Sequence, residues 1–307
     1  MNTTLLCKIN PQFNYPILDR FMTIGRVKYF QLSYDEFVCN LFGIKPNPDY
    51  PLASLHYKNN HQFYYLYADP VYLSLQRDTF FLEKKLTHDF NRNEIKDLCD
   101  GLNEMFQTKN NRFISSDEGQ LLYELKKEPQ IKTTLIEHIK PQSIDLFMPR
   151  GDEAMKWHAF MNEIQMFLFE HAINKIRINR GNLPVNSIWF SGGGILPKII
   201  EYSYTSIFSN SNLVKKIVSL DSKGKVQDVD DMNQENLSNH NLIVLDEKGQ
   251  IDSILELIWY KFRHKKIDQL SIYLSYQDQI LQIDNTFINL FKIWKKADTL
   301  KKYFNAY

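Results

Sequence analysis

From residue 183 onward, short apolar runs alternate with amphipathic segments. A chain patterned in this way folds as alternating strands and helices, which is to say as an α/β sheet with helices packed on it. Residues 183–190 read as the first such strand, and Ser191, Gly192, Gly193 and Gly194 follow it. The spacing then predicts a helix over 197–208, strands over 216–221 and 242–246, and a helix over 251–262. A hairpin of 270–274 with 279–283 comes next, and a helix over 286–295 carries Trp294. The runs ending in Asp221 and Asp246 look like buried parallel strands. Their Asp residues stand at the end where such sheets place ligands, and each is equally suited to capping the next segment.

The first half of the chain is less regular. Residues 3–9 form an apolar strand, and Pro16 opens a helix through 27 because a proline is tolerated in a first turn. Ser33 with Glu36 makes a capping box ahead of Phe37, Val38 and Leu41, with Gly43 as the stop. Strands over 62–67, 71–75 and 79–82 follow, the first broken by Asp69-Pro70. A helix over 93–106 precedes strands over 112–115 and 120–125 around Asp117-Glu118-Gly119. The fold class is therefore α/β: a mixed, largely parallel sheet flanked by helices, with an N-terminal α+β portion. The change of pattern divides the chain into 1–145 and 146–307, or leaves it as one continuous domain.

Composition narrows the partners. Lys and Arg number 37 against 36 Asp and Glu, a net charge of +1, so there is no cationic excess to displace phosphate counterions and no nucleic acid is expected. Mean hydropathy is −0.40, and no apolar run approaches the ~18 residues of a membrane-spanning helix. The N-terminus shows no basic start and apolar stretch, so a cytoplasmic location is expected. Cys7, Cys39 and Cys99 are odd in number and widely spaced, which fits small buried hydrophobes rather than a disulfide framework or a zinc site.

Residues 152–180 read as one long helix, apolar nearly all round and hence buried. At helical spacing Glu163, Glu170, Asn174 and Arg177 share one narrow stripe. Such a stripe is either a satisfied polar seam, with Arg177 bracing a neighbouring loop, or one wall of a polar pocket. The glycine run reads as a strand-to-helix turn, either a tight connection or an anion cradle. In the second case the backbone approaches closely and a helix N-terminus follows. The candidate ligand-binding set is then Glu163, Glu170, Asn174, Arg177, Asn186, Ser191, Gly192, Gly193 and Gly194. Arg177 and Ser191 would meet a small anionic or phosphorylated ligand, and Asn186 would orient the loop.

Several segments together resemble one family. They are Ala68-Asp69-Pro70-Val71, Asn162 to Met166, and His171, Asn174, Arg177 and Gly181. Residues 184–190, the three glycines and the helices bearing Trp259 and Trp294 complete the set. This pattern is similar to the RpfE-type regulatory proteins of proteobacteria, whose members are often labelled cofactor-independent phosphoglycerate mutase-like. The resemblance implies a regulatory protein, or a fold akin to alkaline phosphatases and phosphoglycerate mutases. Mutases of that kind hold two metals with Asp and His, typically in Asp-x-x-x-His and Asp-His pairs, around a phosphoryl-carrying Ser. None of the eight histidines here stands in either pairing with an Asp. That weighs against an enzyme, against a metal and against any cofactor. The sequence thus reads as a cytoplasmic regulatory or ligand-binding protein with an anion pocket. The alternatives are a mutase-like or phosphatase-like phosphoryl-transfer enzyme and, from the aromatic content, a protein-interaction scaffold.

Overall fold

The computed structural model describes residues 1–57, 61–116, 118–232, 237–246, 251–291 and 299–304. The chain opens with β1 (Asn2–Lys8), α1 (Pro16–Ile24), β2 (Arg26–Gln31) and α2 (Tyr34–Leu41). It continues through α3 (Leu52–Tyr57), β3 (Tyr64–Gln76), β4 (Thr79–Lys85), α4 (Arg92–Phe106), β5 (Asn111–Ser115) and β6 (Leu121–Leu125). Then come α5 (Ala154–Glu170), α6 (Ala172–Asn179), β7 (Ser187–Ile195), β8 (Ser206–Ser209) and α7 (Asn212–Val218). The last elements are β9 (His240–Leu245), α8 (Ile251–Arg263), β10 (Gln269–Tyr276), β11 (Gln279–Thr286) and α9 (Leu300–Phe304). Two compact units result: residues 1–44 with 199–307, and residues 45–198. The cut expected at 145/146 falls inside the second unit, because β1 pairs with strands from the far end of the chain and so closes the first unit around an insertion. Asp117 and residues 292–295 of the helix expected over 286–295, Trp294 among them, lie outside the described residues, and residues 287–291 form a short 3₁₀ turn.

The first unit is built on a six-stranded mixed sheet in the order β2-β11-β10-β1-β9-β8. The four strands β10, β1, β9 and β8 run parallel; β11 pairs antiparallel with β10, and the edge strand β2 pairs antiparallel with β11. Leu5 and Cys7 of β1, Ile243 and Leu245 of β9 and Ile272 of β10 share one face with α1 (Leu18, Phe21, Met22) and α8 (Leu255, Ile258, Phe262). Each fully buried Phe or Leu there contributes about 1.5–3 kcal/mol. On the other face Phe37 of α2 packs on Tyr273 at 4.6 Å, and α7 packs beside α2. Burial pushes the Cys7 thiol up to about 12, and all three cysteines are buried and free. The Ser33 capping box forms as read, and Gly43 ends the helix segment with φ of 71°. No helix among the described residues is long and apolar enough to cross a membrane.

Two segments of this unit depart from their sequence patterns. Residues 216–221 are not a strand: Leu213, Val214, Ile217 and Val218 bury one face of α7 at helical spacing, and Asp221 follows in a turn. The helix expected over 197–208 is absent, and its last residues are β8, whose Ile207 and Phe208 are buried in the sheet.

The second unit is a five-stranded antiparallel sheet with α4, α5 and α6 against it. Its long strand β3 pairs with β4, β6 and β7. Asp69-Pro70 does not break this strand. The Asp69 carboxylate, 1% exposed, accepts from Thr87 Oγ1 at 3.0 Å and Gln120 Nε2 at 2.8 Å, and it pairs with Lys85 Nζ at 3.1 Å. The Pro70 carbonyl still accepts from Leu86 N. Side-chain bonds from residues 85–87 and from Gln120 thus hold the strand through a residue that offers no N–H.

The long helix is two helices. His171 takes an extended conformation (φ −65°, ψ 134°), ends α5, and caps α6 by accepting from Ile173 N through Nδ1 at 3.2 Å. Gly101 of α4 leaves room for this ring, since a Cβ there would stand 2.5 Å from His171 Nε2. The rod is also not buried all round, for Met155, Met166 and Phe169 are 78%, 75% and 85% exposed. The glycine run is not a turn. Gly192, Gly193 and Gly194 are buried inside β7, where added Cβ atoms would meet Tyr67 Cδ2 at 2.9 Å, Tyr64 Oη at 2.3 Å and Pro51 Cβ at 2.4 Å respectively. The glycines admit tyrosine rings and a proline close to the strand, and Gly192, with φ of 63°, also takes the left-handed conformation of a β-bulge opposite residues 65–67 of β3.

Gly193→Ala is therefore expected to lower stability by about 1–3 kcal/mol through overpacking against Tyr64 and Leu66, read as a fall in urea midpoint. Asp69→Ala, which strands Lys85, Thr87 and Gln120, is expected to cost about 2–4 kcal/mol in the same measurement. Burial holds the His171 imidazole below its ordinary value, with Asp97 and Glu104 opposing the shift. The unfolded chain therefore binds the proton first as pH falls below about 6.5, and stability is lost down through the lowered folded value. His171→Asn keeps a capping oxygen that does not titrate, so this part of the acid-induced loss should vanish from its pH–stability curve.

Candidate functional site

The nine residues singled out by the sequence do not form one pocket wall. Glu163 and Glu170 are exposed on α5, and the break at His171 separates them from Asn174 and Arg177, which are buried on α6. The structure brings these last two together on the segment that leads into β7. Asn174 Nδ2 donates to Leu168 O and Val185 O, both at 2.7 Å, and its Oδ1 accepts from Val185 N at 2.8 Å. Arg177, fully buried, donates from Nε to Leu183 O at 2.8 Å and lays its guanidinium 4.2 Å over the Phe90 ring. Burial holds its pKa below the usual arginine value, with Glu94 and Asp89 opposing. Its two terminal nitrogens are buried without a hydrogen-bond partner. Those two carboxylates are themselves paired, Glu94 with Arg180 Nη1 at 2.6 Å and Asp89 with Lys84 Nζ at 2.7 Å.

Asn186 extends the β3–β7 ladder by one side-chain rung, since its amide accepts from Leu73 N and donates to Leu73 O, both at 2.8 Å. Ser191, 1% exposed, lies in β7 with the three glycines, whose space Tyr64, Tyr67 and Pro51 occupy. The anion cradle read from the glycine run therefore lacks both parts of its geometry, the turn and the helix N-terminus after it. A bulged strand takes their place: Gly194 pairs with Tyr65 and Ser191 with Tyr67, and Gly192 and Gly193 stand between them where the register with β3 shifts.

A different place in the first unit gathers polar side chains. The chain leaves β9 for α8 on one face of the sheet and leaves β8 for α7 on the other. The carboxyl ends of two adjacent parallel strands thus diverge, and ligands of open α/β sheets bind in the crevice at such a switch point. Asp246 stands there, directly after β9, and its backbone N–H donates to Asn210 Oδ1 at 3.4 Å. Tyr34, at the first turn of α2, is buried, and its phenol hydrogen-bonds to the Asp246 carboxylate. The Ser211 hydroxyl meets the same phenol. Lys8, the exposed last residue of β1, holds Nζ 3.9 Å over the Tyr34 ring.

The electrostatics of this cluster follow from burial. Desolvation first, and the Asp246 charge second, hold the Tyr34 phenol well above its ordinary pKa. It remains a donor across the physiological range, and it fixes Asp246 in position. One carboxylate, one ammonium and two hydroxyls therefore face a common edge. Among the described residues no three His, Cys, Asp or Glu side chains gather as a metal site. Of these residues the sequence pointed to Asp246 alone. The signal for the others lay in their positions at strand ends, and it becomes readable once the strand order is known. Asp221, the other strand-end candidate, instead accepts from Tyr202 Oη at 2.9 Å and Lys223 N at 3.0 Å in the turn after α7.

No protein-family model and no curated protein matches the chain, so the RpfE-type resemblance remains an expectation of the sequence. Two solved structures are similar in chain path. One is the cofactor-independent phosphoglycerate mutase from Thermoplasma acidophilum DSM 1728, at 16% identity over 93% of this chain and 89% of that one, with a TM-score of 0.37. The other is the PH0037 protein from Pyrococcus horikoshii, at 11% identity over 93% of this chain and 87% of that one, with a TM-score of 0.44.

Proposed function

We propose that the chain is a binding protein for a small polar metabolite, held at the carboxyl ends of β1, β8 and β9 by Lys8, Tyr34, Ser211 and Asp246. The observation that carries this reading is the buried Tyr34 phenol, shared between Asp246 and Ser211 beneath the Lys8 ammonium at the switch point. Asp246, fixed by Tyr34, accepts from a hydroxyl or amine of the ligand. Lys8 meets a carboxylate or phosphate as a mobile point charge. The raised phenol stays protonated, so Tyr34 acts as a positioning donor and not as a nucleophile, which favours binding over turnover. Binding without turnover is what a sensor performs, and the regulatory label of the RpfE-type resemblance fits it.

The test is a thermal-shift and calorimetric titration with phosphoglycerate, glycerol phosphate and citrate. A ligand at a hundred times its Kd should raise stability by about 2.7 kcal/mol. Lys8→Met and Asp246→Asn should each remove most of that gain while leaving the unliganded melt close to wild type. If none of the three ligands shifts the melt, or if the shift survives both substitutions, the reading fails. Release of inorganic phosphate that depends on a divalent metal and is lost in Asp246→Asn would replace binding by phosphoryl transfer.

A further inference from the structure

The amino-terminal end of the same parallel strands carries a second feature that the proposed function does not use. A cavity of about 240 Å³ opens there, lined chiefly by Asn2, Thr4, Tyr204, His240, Gln269 and Ser271. The face of β1 that bears Leu6 is apolar along its middle, as a helix-covered sheet requires. Toward the amino end the same face turns polar. Thr4 registers with Ser271 of β10, and Asn2 registers with Gln269 on one side and His240 on the other. His240 and Gln269 are exposed and Asn2, Thr4 and Ser271 half-buried, so these polar rows are open to a ligand from solvent.

The lining is uniform in kind. Its side chains are amides, hydroxyls and a histidine, with no carboxylate, lysine or arginine among them. A charged ligand would find no counter-charge on first contact, whereas a molecule of many hydroxyls finds donors and acceptors on each side. Behind the lining, Ser271 Oγ donates to Asp284 Oδ1 at 2.8 Å, and the Ser271 side chain also hydrogen-bonds with that of Tyr273. Gln282 Nε2 holds the same carboxylate at 2.8 Å, so the Ser271 orientation is set. Tyr204 supplies an aromatic wall. Its ring stacks with Tyr202 at 6.5 Å and meets Phe42 at 6.4 Å, and its phenol hydrogen-bonds with Thr4. Hydroxyl pairs along one side and a rigid ring on the other suit the two faces of a sugar.

We propose that this cavity binds a neutral polyhydroxylated molecule, a monosaccharide or a cyclic polyol. It is independent of the Lys8–Asp246 site, because Asn2 and Lys8 stand at opposite ends of β1, about 20 Å apart along the strand. The experiment is saturation-transfer NMR with titration by glucose, galactose and inositol. The sugars and the polyol form separate arms that identify the source of the hydroxyls. At least one probe should saturate on the wild-type protein. Thr4→Val and Gln269→Leu should each weaken that probe about tenfold, the loss of a neutral hydrogen bond. Lys8→Met should leave its affinity unchanged. Variants are compared after their melts are matched to wild type, and Ser271→Ala replaces Thr4→Val if the latter does not fold. No saturation by any probe overturns the proposal. Saturation that survives both lining substitutions, or that is lost in Lys8→Met, also overturns it by placing the binding elsewhere.

Discussion

β1 is hydrogen-bonded along both edges, with Leu5 opposite Ile243 on one side and Ile272 on the other. The first unit depends on that double pairing. A strand so enclosed has no free edge, and its side chains must be apolar on both faces wherever helices cover them. Leu5, Leu6 and Cys7 meet this demand and are fully buried. The pairing partners lie at the other end of the chain, so loop closure is long-range and everything between residues 44 and 199 is an insertion. The entropic cost of closing over an insertion grows only slowly with its length, which makes such an arrangement affordable to a core of this size.

The second unit meets a comparable demand by different means. Its spine is β3, which runs through Asp69 and Pro70 because side chains substitute for what the backbone lacks. Asp69 gathers Thr87, Gln120 and Lys85, and Asn186 supplies a rung to Leu73. Opposite this strand, the glycines of β7 admit Tyr64 and Tyr67 against the backbone. Buried polar groups are tolerated there because nearly all are satisfied by neighbours. Among the described residues the Tyr64 hydroxyl and the terminal nitrogens of Arg177 are exceptions, and Arg177 sets its guanidinium against the face of Phe90.

Local physics was legible from the residues wherever period and length agreed. The strands around residues 3–9 and 242–246, the helices opening at Pro16 and Ile251, and the Ser33 capping box all follow from neighbours within a few positions. The errors share one cause. The glycine run has the composition of a turn, yet its conformation is set by pairing with β3, more than a hundred residues earlier. Residues 213–218 are apolar enough for a strand or a helix, and such short runs are settled by what they pack on. His171 breaks a helix that its own neighbours would continue, because its ring fits over Gly101 of another helix.

The candidate site shows the same division. The sequence by itself determined the neutral charge balance, the buried cysteines, the α/β character of the C-terminal half and Asp246 as a strand-end carboxylate. Only the tertiary structure decided that Lys8, Tyr34, Ser211 and Asp246 meet. Their meeting requires the strand order, the faces chosen by α7 and α8, and the register of β1 with β9. Those are properties of long-range pairing and crossover direction, and no window of neighbouring residues contains them.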